Sequence, residues 1–249
     1  MPERDSSEGV WPPARADCGE CPHRPDRLAQ GRCQPGESCV RAQSGRQMAN
    51  FFRANPDLAK AYADDPFWER RAIAARHLPQ QRLLQMVADP DEAVRRVVAY
   101  RLPLAQLELM LGDRDREVRI TLADRLPIDH LEAMVEDPDY LVRHYVARRL
   151  KPGRLFRMIN DADREVRIAV ARRLPAESLG LMLFDEESEV RRVVAERIDP
   201  TALEPLLRDD DWWVRRQAFE RAPLQMIRAL PEDEDDDVRD IQRQRLADS

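Results

Sequence analysis

"DPDEAVRRVVAYRLPLAQLELMLG", residues 89 to 112, is one period of a pattern that runs through most of this 249-residue chain. Val-Arg pairs begin at Val94, Val118, Val142, Val166, Val190, Val214 and Val238, each 24 residues after the last. An Asp heads every period, at Asp65, Asp89, Asp113, Asp137, Asp161, Asp185, Asp209 and Asp233. An Arg follows it six places later, at Arg71, Arg95, Arg119, Arg143, Arg167, Arg191, Arg215 and Arg239. Self-similarity at one short fixed period is the signature of a repeat architecture.

The first half of each unit carries helix punctuation. Asp89 is suited to cap a helix, Pro90 to fill its first position and Glu92 to complete a capping box, and later units offer a further Asp two residues on. A Leu-Pro step ends the helix at Pro79, Pro103, Pro127, Pro175 and Pro223. Proline inside a helix costs about 3 kcal/mol, which limits the helix to about 11 to 13 residues. The return to the next Asp carries Leu83, Leu107, Leu131, Leu155, Leu179, Leu203 and Ile227, followed three places on by Met86, Met110, Met134, Met158, Met182, Leu206 and Leu230. A single apolar spacing of three over so short a stretch predicts one or two 3₁₀ turns. With no alternating β-branched run, no strand is expected. One short helix has nothing to pack on except its neighbour, so the units are expected to stack into an all-α solenoid around a continuous core.

Advancing about 100° per residue places Val94, Val98, Ala99 and Leu102 on one stripe with Arg95 in its middle. The constant Arg is therefore expected to be partly buried. A buried guanidinium needs a carboxylate and backbone carbonyls, and the only equally constant acid is the Asp at the head of each unit, which predicts an internal Asp-Arg ladder between neighbours. A second constant Arg, from Arg101 and Arg125 through Arg149, Arg173, Arg197 and Arg221 to Arg245, lies at the stripe's edge, where its stem packs and its head reaches carbonyls or water.

The outward face varies from unit to unit. It carries Arg96, Tyr100, Arg116, Tyr140, His144, Arg148, Arg164, Arg172, Arg192, Trp212 and Arg216, interrupted by Asp124, Glu196 and Glu220. A solvated helix face explains such a stripe, and so does a surface for an acidic partner or nucleic acid. The final "PEDEDDDVRDIQRQRLADS" is too acidic to pack and reads as a polar terminal cap.

Charged residues make up 35% of the chain and aromatics 6%, a mixture that folds only if its apolar residues are patterned, as they are here. The net charge of −6 argues against a chain devoted wholly to nucleic acid. No segment approaches the roughly 18 apolar residues of a membrane span, and the first residues lack the apolar run of a secretory signal, so a cytoplasmic location without membrane contact is expected. The four cysteines, Cys18, Cys21, Cys33 and Cys39, all lie in one stretch near the start. Under reducing conditions such a cluster points to metal rather than disulfides, and by spacing alone it suits a structural zinc ion or an iron-sulfur cluster equally.

Four cysteines so spaced, followed by 24-residue units of the form Asp-Pro-Asp-x-x-Val-Arg-x-x-Val-Ala-x-Arg-Leu-Pro, resemble the leucine-rich repeat variant family with its N-terminal 4Fe-4S module. The resemblance covers nearly the whole chain. It implies alternating α- and 3₁₀-helices in a right-handed superhelix, a cluster carried on Cys18, Cys21, Cys33 and Cys39, and a setting in nitrogen-fixing bacteria. Departures are local: Arg70 replaces the Val and His77 the second Arg in the first unit, while Lys151 and Asp199 stand where the fourth and sixth units would have Pro. The chain then divides into a cysteine module (1–43), a degenerate repeat or connecting helix (44–64) and eight repeats (65–88, 89–112, 113–136, 137–160, 161–184, 185–208, 209–232 and the partial 233–249). No glycine-rich phosphate loop or His-Glu metal pair occurs, and none of the four histidines pairs with a nucleophile, so no catalysis is expected. The expected function is a scaffold that binds a protein partner, with a redox-sensing or electron-transfer role for the cluster; nucleic-acid binding through the basic face, with zinc or a cluster as a structural element, is the alternative.

Overall fold

The structure is a computed structural model that describes residues 18 to 247. The described residues are helical apart from turns and one isolated antiparallel bridge between Gln34 and Ser38. The chain forms two compact units, one ending at Leu126 and the other starting at Pro127.

Within both units the 24-residue period is an α-helix followed by a 3₁₀ stretch. The helices run Trp68–Ala75, Glu92–Arg101 and Arg116–Arg125 in the first unit. In the second they run Tyr140–Arg149, Arg164–Ala171, Ser188–Arg197, Trp212–Arg221 and Asp236–Ala247. The 3₁₀ segments Leu104–Met110, Ile128–Met134, Pro152–Met158 and Ala176–Met182 confirm the apolar spacing of three. Two returns differ, with short α-helical turns at Gln80–Leu83 and Leu224–Arg228. Where Asp199 replaces proline, its carboxylate accepts the Thr201 N–H at 2.8 Å and restarts the chain as a 3₁₀ turn.

The helices begin later than the sequence suggests. Most have 10 residues rather than 11 to 13, because the cap is the third residue of the unit, an Asp in most, and not the Asp that heads it; Phe67 and Glu187 hold that place without a side-chain cap bond. Asp91, Asp115, Asp139, Asp163 and Asp211 each accept a backbone N–H from the first turn. Pro90 therefore precedes the cap, and Glu92 opens the helix instead of closing a capping box. The first Asp is engaged elsewhere. Its Oδ1 accepts the N–H two residues on, as in Asp89 to Asp91 at 3.0 Å, and both carboxylate oxygens face the Arg of the preceding unit.

That Arg forms the expected ladder. Arg95 donates from Nε and Nη2 to Asp113 at 2.8 and 3.0 Å, and from Nη1 to the carbonyl of its own Asp89 at 2.8 Å. Arg71 and Asp89 repeat the arrangement in the first unit. In the second unit it recurs for Arg143 with Asp161, Arg167 with Asp185, Arg191 with Asp209 and Arg215 with Asp233. The guanidinium is buried or nearly so, with Arg95 only 4% exposed, which makes its pairing obligatory. Hydrogen bonds donated to the carboxylates hold Arg71, Arg95, Arg143, Arg167, Arg191 and Arg215 above their ordinary range.

The second Arg serves the other end of the helix. Arg101 donates to the carbonyls of Ala75 and Leu78, and Arg173 to those of Ala147 and Leu150. These acceptors stand where a Leu-Pro or similar step stops the preceding helix and leaves its last carbonyls without intrahelical partners. Between these two polar rows lies the core, built in each unit from sets such as Val94, Val98, Ala99, Leu102, Leu107 and Met110, all buried.

Arg143→Ala leaves the Asp161 carboxylate buried and unpaired, and is expected to cost about 3–5 kcal/mol in chemical denaturation. A loss below about 0.5 kcal/mol, the scale of an exposed pair, would contradict the ladder. The C-terminal rung has a pH signature. Burial pushes the Asp233 carboxyl up, but Arg215 and the Asp235 N–H outweigh it and leave the group below its usual 3.8. A carboxyl depressed on folding stabilises the fold above its unfolded value and loses that contribution as pH falls through the folded one. Asp233→Asn should therefore be less stable than wild type at neutral pH, with the gap closing below about pH 4. Trp212 and Trp213 fluorescence reports this region; a gap constant down to pH 2 would contradict the assignment.

Candidate metal centre and exposed helix face

The described cysteines sit in a segment of tight turns. Cys21 N–H bonds back to the Cys18 carbonyl at 3.4 Å and Arg24 N–H to Cys21 at 3.1 Å, closing the first pair into a turn that leads to the short π-helical stretch Arg24–Leu28. Gln34 and Ser38 exchange two backbone hydrogen bonds, at 2.9 and 2.8 Å, so their outer neighbours Cys33 and Cys39 flank one narrow loop. That loop needs Gly36, whose φ of +88° is left-handed, and Gly31 at +68° turns the chain ahead of Cys33.

All four cysteines line one cavity, walled also by Arg24, Leu28, Val40, Arg41 and Phe51. Cys33 and Cys39 are buried while Cys18 and Cys21 are partly exposed, and all four are free of disulfides. Burial pushes the Cys33 and Cys39 thiols up, and the other cysteines add to the effect. An iron-sulfur cluster takes each sulfur at a separate iron, and four free thiols lining one cavity supply such a donor set. The donor set is thus chemically and spatially suited to an iron-sulfur cluster.

A polar and aromatic contact set ties this segment to the helices that follow. His23 Nε2 lies 2.7 Å from the Tyr62 hydroxyl, and its ring packs against Phe51. Phe52 meets both Phe51 and Tyr62 edge-on. Buried Asn55 donates to the Arg32 carbonyl at 2.8 Å, and Arg27 pairs with Asp57 at 2.6 Å. Burial, with Cys21 nearby, pushes Tyr62 up to about 12, so its hydroxyl stays protonated. Residues 45 to 62 comprise an α-helix, Gly45–Ala54, and a 3₁₀ stretch, Pro56–Tyr62, in the same order as the later units.

The outward stripe is exposed, but it is not one basic surface. In the first unit Arg96 and Tyr100 are exposed, Tyr100 at 69%, and Arg116 pairs with Glu117 at 3.4 Å. In the second unit Arg164 pairs with Glu189 at 3.2 Å and Arg216 with Glu220 at 3.1 Å. His144 Nδ1 lies 3.2 Å from the Glu165 carbonyl oxygen, and Arg148 stands over Tyr145. Arg172 and Tyr140 are exposed, and Arg192 lies 4.9 Å from the ring of Trp213, which stacks on Trp212. The sequence reading missed Trp213, one place off the stripe, and two arginines of the first unit, Arg46 and Arg76. These two line hollows with Arg96.

Alternating α- and 3₁₀-helices in 24-residue periods, following a four-cysteine segment, define an all-α repeat protein with an N-terminal metal-binding module. The leucine-rich repeat variant family matches residues 68–91, 116–139 and 164–187, and the family described as the FeS4 cluster of these proteins matches residues 10–61. A solved structure described as a leucine-rich repeat variant with a novel repetitive structural motif is 54% identical, covers 93% of this chain and 99% of its own, and superposes with a TM-score of 0.88. The chain therefore belongs to the leucine-rich repeat variant family and carries its FeS4 cluster domain, which contains all four cysteines. An uncharacterized 27.7 kDa protein in the nifB 3' region of Rhodobacter capsulatus is 38% identical over 85 residues, or 34% of each chain. Among the described residues no helix is long and apolar enough to cross a membrane.

Proposed function

We propose that this protein is a non-enzymatic scaffold that grips a protein partner on its exposed helix faces, with its iron-sulfur cluster held by Cys18, Cys21, Cys33 and Cys39. One observation carries the reading. The constant charged residues resolved in the two units are engaged inside the stack, Arg95 with Asp113 and Arg101 with carbonyls being typical, so the chemistry left for recognition lies on the variable outward faces. Those faces carry arginines, tyrosines and tryptophans, side chains that dominate protein interfaces.

When bound, a four-cysteine cluster supplies one-electron chemistry with no open position for a substrate. The protein's own part is to hold four thiolates in a partly apolar cavity and to tie that cavity to the first helices through His23, Tyr62 and Phe51. That link offers a route by which the state of the module is felt at the neighbouring helices, which supports a redox-responsive role. The nif-region relative supports a setting in nitrogen fixation.

Two measurements test this. Anaerobically purified protein should hold about four iron and four sulfide, and Cys33→Ser should lose most of both; stoichiometric zinc instead of iron would contradict the ligand assignment. A photo-crosslinking residue placed in turn at Arg96, Tyr140, Arg172 and Arg216 in cells should yield a discrete protein adduct from at least one position. Silence from all four would sink the scaffold reading.

A further inference from the structure

Two adjoining hollows in the first unit, of about 500 and 320 Å³, share Arg76, Arg96 and Val97 and so form one groove. Their floor is made of Ala49, Ala72, Ile73 and Val97, and Trp68 and Tyr100 stand in the walls with their rings partly in solvent. Arg46 and Arg96, on two helices, and Arg76, just past the end of the helix between them, line the groove. All three are exposed, and none has an ion-pair partner among the described residues.

Arginines such as Arg164 and Arg216 are paired with carboxylates, whereas here three stand together without one. The one acid in the groove, Glu69, is folded against the head of the Gly45–Ala54 helix, so close that a Cβ at Gly45 would collide with its carboxylate. The three guanidiniums therefore face the groove unneutralised, above an apolar floor.

We propose that this groove docks an extended acidic segment of a partner protein, its carboxylates on Arg46, Arg76 and Arg96 and an apolar or aromatic side chain on the floor between Trp68 and Tyr100. The inference rests on the scaffold reading and names the partner's chemistry. Guanidiniums bind carboxylates in a planar fork, and three of them match a short run of Asp and Glu. Nucleic acid is the poorer fit: it needs cations that track a backbone, whereas here the cations surround a floor of aliphatic side chains.

The probe is a fluorescein-labelled peptide, Gly-Glu-Asp-Phe-Glu-Leu-Glu-Gly, titrated by anisotropy against full-length, cluster-loaded protein at low and high salt. Binding should weaken with salt and fall about tenfold or more in Arg76→Gln/Arg96→Gln, while Arg157→Gln/Arg243→Gln, with the same charge change at exposed arginines that belong neither to the groove nor to the outward stripe, should leave it within about twofold. Equal losses in both variants, or no binding at low salt up to millimolar protein, would overturn the proposal. So would tighter binding of a single-stranded oligonucleotide than of the peptide, or groove-dependent self-association in sedimentation, which would assign the groove to nucleic acid or to the acidic end of a second copy. In the cellular crosslinking, adducts from Tyr140, Arg172 or Arg216 with none from Arg96 would keep the scaffold and reject this groove.

Discussion

The architecture depends on a guanidinium that has bonds in two directions. In Arg95, Nε and Nη2 reach forward to the carboxylate that heads the next unit, while Nη1 reaches back to a carbonyl at the head of its own. A buried cation tolerates no vacancy in this set, because an unpaired charge in the interior costs several kcal/mol. The geometry fixes the distance from one unit to the next, and with it the 24-residue period. The paired Asp is oriented in turn by the N–H two residues on, 2.9 Å away at Asp115, so each rung also sets the entry of the following helix.

This arrangement explains what was legible in the sequence and what was not. The burial of Arg95 follows from helical angle alone, since it falls between Val94 and Val98, and its partner follows by elimination. The helix cap does not follow, because Asp89 and Asp91 are both good caps by residue type. Only the structure shows that the first is claimed by Arg71 and that the helix starts after the second. The four thiols are legible from spacing, whereas His23 and Tyr62 are 39 residues apart with no pattern joining them. Arg46 and Arg76 escaped notice because the outward stripe was drawn from the regular repeats. Arg46 precedes those repeats, and Arg76 belongs to the least regular of them.

The cysteine segment is built on a different principle from the repeats. Its shape comes from turns, two glycines at positive φ and a small bridge, with few buried apolar side chains of its own. Such a segment needs outside support, and cluster ligation and the aromatic contacts to Phe51, Phe52 and Tyr62 provide it from two sides. The match to the cluster domain spans residues 10–61 and so includes Phe51 and Phe52, ending one residue before Tyr62. The cysteines and the first α and 3₁₀ helices are thereby treated as one structural piece.

The meeting of the two principles is visible at His77. In the later units this position is an Arg that reaches back to the last carbonyls of the previous helix, where the Leu-Pro step leaves them open and the helix dipole favours a cation. At residue 77 the side chain is instead an imidazole stacked on Phe52, and burial, together with Arg101 and Arg76, holds it below its usual value and so favours its neutral form. A neutral ring is a weaker partner for carbonyls than a guanidinium, but it packs well against an aromatic face. The polar row that joins repeat to repeat therefore gives way here to ring-on-ring contact, and this contact leads through Phe52, Phe51 and His23 to the cysteine cavity. The module and the first repeat are thus joined by aromatic packing and not by the charge ladder.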